Sequence, residues 1–120
     1  GFGGKGYQVR DVIHIDDVCK IILIQIKKIK NINNNIFNIG GGFKNSISLK
    51  ILTNKGEKFT KNKINIKKIT KTSVFDIPYF ITDNSKITKT YKWKPLKSID
   101  QILKDIYLWV SKNKKIKNYF

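Results

Sequence analysis

The feature that most constrains the fold is a change of hydrophobic period in the run that begins at Tyr7. From Tyr7 to Ile15 the pattern is that of a strand, with Val9, Ile13 and Ile15 on one face and Gln8, Arg10 and His14 on the other. Asp16 or Asp17 is then placed to cap a helix. Beyond them Val18, Ile21, Ile22, Gln25/Ile26 and Ile29 recur at steps of three and four, which predicts an amphipathic helix to about Lys30. A strand running directly into a helix puts the chain in the α/β class.

The rest of the chain repeats these short elements. Ile36–Ile39 is a brief, largely apolar strand that ends in Gly40-Gly41-Gly42, where the backbone can turn sharply or admit a close neighbour. A plain turn explains the three glycines equally well. Ser46 or Ser48 starts a second helix carrying Leu49, Leu52 and Phe59, weakened by Gly56 and by Lys55 on its apolar side. Lys63–Ile69 alternates in part and predicts a strand, followed by a loop over Thr70–Pro78 that carries Asp76. Tyr79–Thr82 is a further short strand, Asp83 caps a helix to about Tyr91, and Trp93-Lys94-Pro95 is a turn. The last helix has a capping box in Ser98 and Gln101 and a stripe of Ile99, Ile102, Leu103, Ile106, Trp109 and Val110.

With 120 residues, the chain suffices for one small domain and a modest core. It has no methionine, so it is expected to be processed or part of something longer. No apolar run reaches the roughly 18 residues that span a bilayer. A single cysteine, Cys19, excludes an internal disulfide and is expected as a small core residue, and a single histidine argues against a zinc cluster. A reducing, cytoplasmic setting fits. The net charge of +17 invites a nucleic-acid reading. Lysine, isoleucine and asparagine are inflated together, however, as in an AT-rich coding sequence, and the lysines are scattered without interleaved aromatics.

Arg10 stands out because it is the only arginine beside 24 lysines. Its planar fork can hold a phosphate or carboxylate bidentately, which lysine cannot do. A surface arginine on a strand is the plain alternative. Gly1-Phe2-Gly3-Gly4-Lys5-Gly6 satisfies G-x-G-x-x-G formally, but a strand-like stretch follows it where a dinucleotide site needs a helix. It is expected to be a flexible glycine loop. Seven aspartates and one glutamate are spread thinly, and no serine or cysteine nucleophile has an assignable base. On its own the chain reads as a binding or support domain.

The order of its phrases nevertheless resembles a known family. Gly6-Tyr7-Gln8-Val9-Arg10-Asp11-Val12-Ile13-His14-Ile15-Asp16-Asp17 is similar to the G-x-Q-V-R-D-V-L-H-V-D-D segment of extended short-chain dehydrogenase/reductases acting on nucleotide sugars. Phe37-Asn38-Ile39-Gly40-Gly41-Gly42 with Asn45-Ser46-Ile47-Ser48-Leu49 resembles the same family's F-N-I-G-G-G…N-S-x-S-L. Asp76-Ile77-Pro78-Tyr79, Thr82-Asp83-Asn84-Ser85-Lys86 and Trp93-Lys94-Pro95 continue in order. The wording is like that of the CDP-paratose (CDP-tyvelose) 2-epimerase branch of the NAD-dependent epimerases and dehydratases.

The resemblance implies a C-terminal substrate-binding portion over residues 1–120, with short strands, three to four helices and no Rossmann core. Residues 36–39 would be an outer strand of the cofactor sheet. The family's Y-x-x-x-K pair and true glycine fingerprint do not occur here, so NAD would belong to the intact parent enzyme and the isolated chain is expected to be inactive. The resemblance implies that Arg10 grips the substrate diphosphate and that Asp76, the acid of R-x-x-D, accepts from the nucleotide ribose. Gln8 is a further candidate on the Arg10 face. The implied partner is a nucleotide sugar, with a homodimeric parent, no metal and no membrane. Three departures stand against this reading: Ser73 occupies the arginine position of R-x-x-D, Phe75 replaces a small residue, and Ile51 stands where the family has glutamate. The rival readings are a basic module for nucleic acid or an anionic surface, and a non-functional truncated remnant.

Overall fold

A computed structural model describes residues 2–32 and 34–113. A three-residue strand, β1 (Val9–Asp11), lies at the centre of a small sheet. β2 (Ser46–Ser48) pairs with it antiparallel, setting Arg10 opposite Ile47, and β3 (Tyr79–Phe80) pairs parallel, setting Arg10 opposite Phe80. Among the described residues there are four α-helices: α1 (Ile15–Lys28), α2 (Leu49–Thr60), α3 (Ser85–Tyr91) and α4 (Ile99–Lys112). The α/β class therefore holds, with strands shorter than the alternation suggested.

Helix starts follow from local chemistry. The imidazole Nδ1 of His14, not Asp16 or Asp17, caps α1 by accepting the Asp16 amide at 3.0 Å. The two aspartates sit in the first turn, where negative charge suits the helix dipole. Ser48 caps α2, and the Ser98/Gln101 capping box starts α4. Asn84 is the residue before α3, while Asp83 accepts from both the hydroxyl and the amide of Ser85, which holds its carboxyl below the usual range.

The core is Ile21 of α1, Ile87 and Tyr91 of α3, and Trp93, with Ile13, Ile24, Ile32, Phe37 and Ile39 against it. Phe37 meets Tyr91 edge to face at 5.3 Å. Asp17 is fully buried beside this core, and its Oδ2 accepts the amides of Leu96 and Lys97, tying α1 to the approach to α4. Against α4, Lys55 of α2 pairs with Asp100 at 2.6 Å and Phe59 packs on Tyr107. That ion pair accounts for a lysine on the inner side of α2.

Several expectations are corrected. Cys19 is exposed, because the core-facing side of α1 is that of Asp17, Ile21 and Ile24. Lys63–Ile69 forms no strand and stays exposed, since alternation alone supplies no edge to pair with. Residues 36–39 join no strand of the described sheet, although Phe37 and Ile39 pack inward. In α4 only Ile102 is buried, and Ile106 and Trp109 are more than half exposed.

Candidate functional site

Successive side chains of a strand point to opposite faces, so Gln8 and Arg10 leave one side of β1 and Asp11 the other. The parallel pairing with β3, extended by the Val9 amide donating to Pro78 at 2.9 Å, draws the preceding turn alongside. That turn is closed by the Asp76 amide donating to the Ser73 carbonyl. Its geometry delivers Asp76 to the Gln8–Arg10 face.

The three residues singled out by sequence therefore meet. Gln8 Nε2 donates to Asp76 Oδ2 at 2.9 Å, across 68 positions of sequence. Arg10 Nη2 stands 3.7 Å from Asp76 Oδ1, and Nη1 donates to the Val9 carbonyl at 2.8 Å. The guanidinium is 44% exposed and the carboxylate 28%. An ion pair this long and this wet contributes at most about 1 kcal/mol. The fork is consequently held in place but open to a stronger anion. Ser73, at the position of the expected second arginine, spends its hydroxyl on accepting the Phe75 amide, and Phe75 is almost wholly exposed.

Gln8 also lines a cleft of about 600 Å³ with Tyr7, Lys50, Thr53, Ile66 and Lys68. Lys50 Nζ lies 5.4 Å over the Tyr7 ring, so the cleft offers both cation and aromatic surface beside Gln8. Phe2–Gly4 forms a 3-10 turn that leads into β1 instead of a helix, with Gly3, Gly4 and Gly6 at positive φ. These glycines do not fit a dinucleotide pyrophosphate, which needs helix-terminal amides.

On the opposite face of β1 lies a group of contacts that sequence reasoning missed. Asp11 Oδ2 accepts the Gly42 amide at 2.8 Å, and Thr82 donates to Oδ1 at 3.3 Å. Asn84 both accepts from the Gly40 amide and donates to the Gly40 carbonyl. A Cβ at Gly40 would overlap Thr82 and Asp11, and one at Gly41 would overlap the Val12 carbonyl. The close neighbour that the glycines admit is the chain itself. The R-D and T-D-N phrases carried this information, but nothing in either phrase shows that they touch.

Further along, His14 Nε2 faces Asp105 at 3.3 Å, and Lys97 donates to Asp105 at 2.9 Å. That bond holds the Asp105 carboxyl below its usual range and raises the Lys97 ammonium above its own. Among the described residues no group of three or more His, Cys, Asp or Glu could hold a metal ion, and no helix is long and apolar enough to cross a membrane.

Comparisons with known proteins agree with the phrases in the sequence. The profile of the NAD dependent epimerase/dehydratase family matches residues 2–40. CDP-paratose 2-epimerase of Salmonella typhi is 34% identical over 111 residues, which is 90% of this chain and 32% of that protein. UDP-glucose 4-epimerase of Bifidobacterium longum, solved in complex with NAD+ and UDP, is 27% identical with a TM-score of 0.75, over 94% of this chain and 35% of that one. The dTDP-glucose 4,6-dehydratase of Bacillus anthracis, in complex with NAD, shares the fold at a TM-score of 0.76 and 22% identity, over 93% and 34% of the two chains. The chain thus spans about a third of the length of each of these relatives. Matching phrases, sequence identity and fold together place it in the NAD-dependent epimerase/dehydratase family, as an α/β chain with the architecture of extended short-chain dehydrogenase/reductases.

Proposed function

We propose that this chain is the substrate-binding portion of a nucleotide-sugar epimerase like CDP-paratose 2-epimerase, with Arg10 as the diphosphate grip. The observation that carries the reading is the convergence of Gln8, Arg10 and Asp76 on one face of the sheet, from two stretches 68 positions apart. A diphosphate offers the guanidinium two short charge-assisted bonds, each worth about 1.5–3 kcal/mol where water is excluded, against a 3.7 Å contact with Asp76. Asp76, already accepting from Gln8, has a second oxygen free to take a ribose hydroxyl as donor once Arg10 turns to phosphate. The Tyr7–Lys50 cleft next to Gln8 suits the remainder of a nucleotide.

NAD, when bound in an intact relative, supplies the oxidation and return of hydride at the sugar. The residues of this chain hold and orient the donor, the share that protein groups contribute to such reactions. The glycine turn at Phe2–Gly4 does not suit a cofactor pyrophosphate, and the isolated chain is expected to show no turnover without an added cofactor-binding domain. The test is calorimetric titration with a CDP-sugar and a UDP-sugar beside duplex DNA, each at two salt concentrations. Nucleotide-sugar binding that weakens about ten- to a hundredfold in Arg10→Lys supports the reading. Binding of DNA alone, indifferent to Arg10→Lys, overturns it in favour of a basic binding module.

A further inference from the structure

One stretch of the chain is basic and apolar at once. Residues 58–75, between Glu57 and Asp76, hold six lysines and no acid. From residue 61 to 75 the chain forms no helix or strand. Within it Ile64, Ile66, Ile69, Val74 and Phe75 are 62, 57, 66, 92 and 90% exposed. Single exposed apolar side chains are ordinary, but five of them within one irregular stretch call for a partner.

The stretch is nonetheless anchored to the fold. The Phe2 amide donates to Thr72 Oγ1 at 2.6 Å, and the Ile64 amide to Glu57 at 3.1 Å. The Asp76 amide closes the turn at the Ser73 carbonyl, with Val74 and Phe75 at its apex. These bonds fix the backbone and leave the lysine and apolar side chains exposed. Among the described residues the lysines in ion pairs are Lys20, Lys55 and Lys97, all outside the stretch.

Two classes of polyanion attract such a charge. A nucleic-acid backbone would neutralise the lysines but leave the aliphatic side chains wet. Phe75 is also the one ring between residues 60 and 75 that could stack on a base. An anionic lipid leaflet uses both features: headgroups meet the ammonium groups, and apolar side chains enter the headgroup–acyl boundary. We infer that residues 61–75 form a peripheral docking surface for an anionic lipid membrane, with Lys67, Lys68 and Lys71 on headgroups and Val74 and Phe75 inserted. Such a surface lies on a bilayer and needs no spanning helix. It uses neither Arg10 nor Gln8, so it stands independently of the proposed function.

The test is co-sedimentation of the purified chain with vesicles of phosphatidylcholine alone and of phosphatidylcholine mixed equally with phosphatidylglycerol. Binding is expected to the mixed vesicles only. Each lysine at an anionic surface is worth about fivefold in affinity, so Lys67→Gln with Lys68→Gln should weaken binding about twenty-fivefold. Val74→Ser with Phe75→Ser should weaken it by about tenfold or more. Lys27→Gln with Lys28→Gln removes the same charge from α1 and should change it by less than about threefold. Equal losses in the two lysine pairs would show a diffuse charge effect and overturn the inference. Binding indifferent to Val74→Ser with Phe75→Ser overturns it too, as does failure to bind mixed vesicles, with or without capture of duplex DNA. Acetylation of the unmutated chain gives a reading that no variant's folding can disturb. Mixed vesicles should slow modification of Lys67, Lys68 and Lys71 more than that of Lys27 and Lys28, and equal slowing would also sink the assignment.

Discussion

Gln8 and Asp76 are joined side chain to side chain at 2.9 Å, and the carboxylate so held also faces Arg10. The bond orients the acid with one oxygen toward each partner. Asp76→Asn removes the charge while keeping the shape, and Gln8→Ala removes the orienting donor. If Asp76 takes the ribose as proposed, Asp76→Asn is expected to weaken nucleotide-sugar binding by about tenfold, and Gln8→Ala by less. Titration calorimetry on both variants, with Arg10→Lys as the reference, measures the order of the three.

Asp17 is buried, and one of its oxygens accepts two backbone amides, from Leu96 and Lys97, at 3.0 and 2.9 Å. Asp17→Ala strands both amides and is expected to destabilise the chain by about 2–4 kcal/mol. Asp17→Asn can keep its oxygen in the same place and should cost less than half as much. Urea unfolding of the two variants checks the ratio, and equal losses would show that the charge near Lys20 matters more than the amides.

The glycines make opposite predictions. Gly41 is buried, and a methyl there overlaps the Val12 carbonyl, a backbone atom that cannot swing aside. Gly41→Ala should destabilise markedly, by more than about 2 kcal/mol. Gly56 lies inside α2 with nothing within 4 Å of an added Cβ, so Gly56→Ala should stabilise by about 1 kcal/mol. Thermal unfolding of both variants, read by circular dichroism, decides.

The pair Lys97–Asp105 sets a pH dependence at both ends of the range. Asp105 is lowered in the folded chain, chiefly by its bond from Lys97, so its contribution is complete above the ordinary carboxylate value and is lost as pH falls through the depressed one. Lys97 is raised by the same bond, so its contribution is complete below the ordinary ammonium value and is lost as pH rises through the raised one. The stability difference between the wild type and Asp105→Asn should shrink below about pH 4 and above about pH 10. Melting curves across that range check the shape, and an unchanging difference at both extremes would place the destabilisation elsewhere.

How far the sequence revealed all this depended on how local the physics was. Ser48, Ser98 and Gln101 cap helices as their spacing suggests, because a cap is a matter of three or four residues. His14 hid its capping role behind Asp16 and Asp17, which are the commoner cap types. Lys63–Ile69 had the alternation of a strand, but pairing depends on a neighbour that alternation does not specify. The outward turn of Cys19 was equally hidden, since α1 is apolar on both sides and periodicity cannot say which of them faces the core. Arg10, Gln8 and Asp76 come together as the family phrases implied, whereas the contacts of Asp11 with Gly42 and Thr82 needed coordinates.

Those last contacts have a consequence for how the chain can change. Arg10 and Asp11 are neighbours on a strand of three residues, one aimed at Asp76 and the other at the glycine loop. A slip of one residue in register would exchange them, presenting a carboxylate to Asp76 and a guanidinium to the amide of Gly42. The glycine loop thus acts as a lock on alignment: substitutions at Thr82 or Gly42 can move Arg10 off the face it shares with Gln8 and Asp76 while all three side chains are still present.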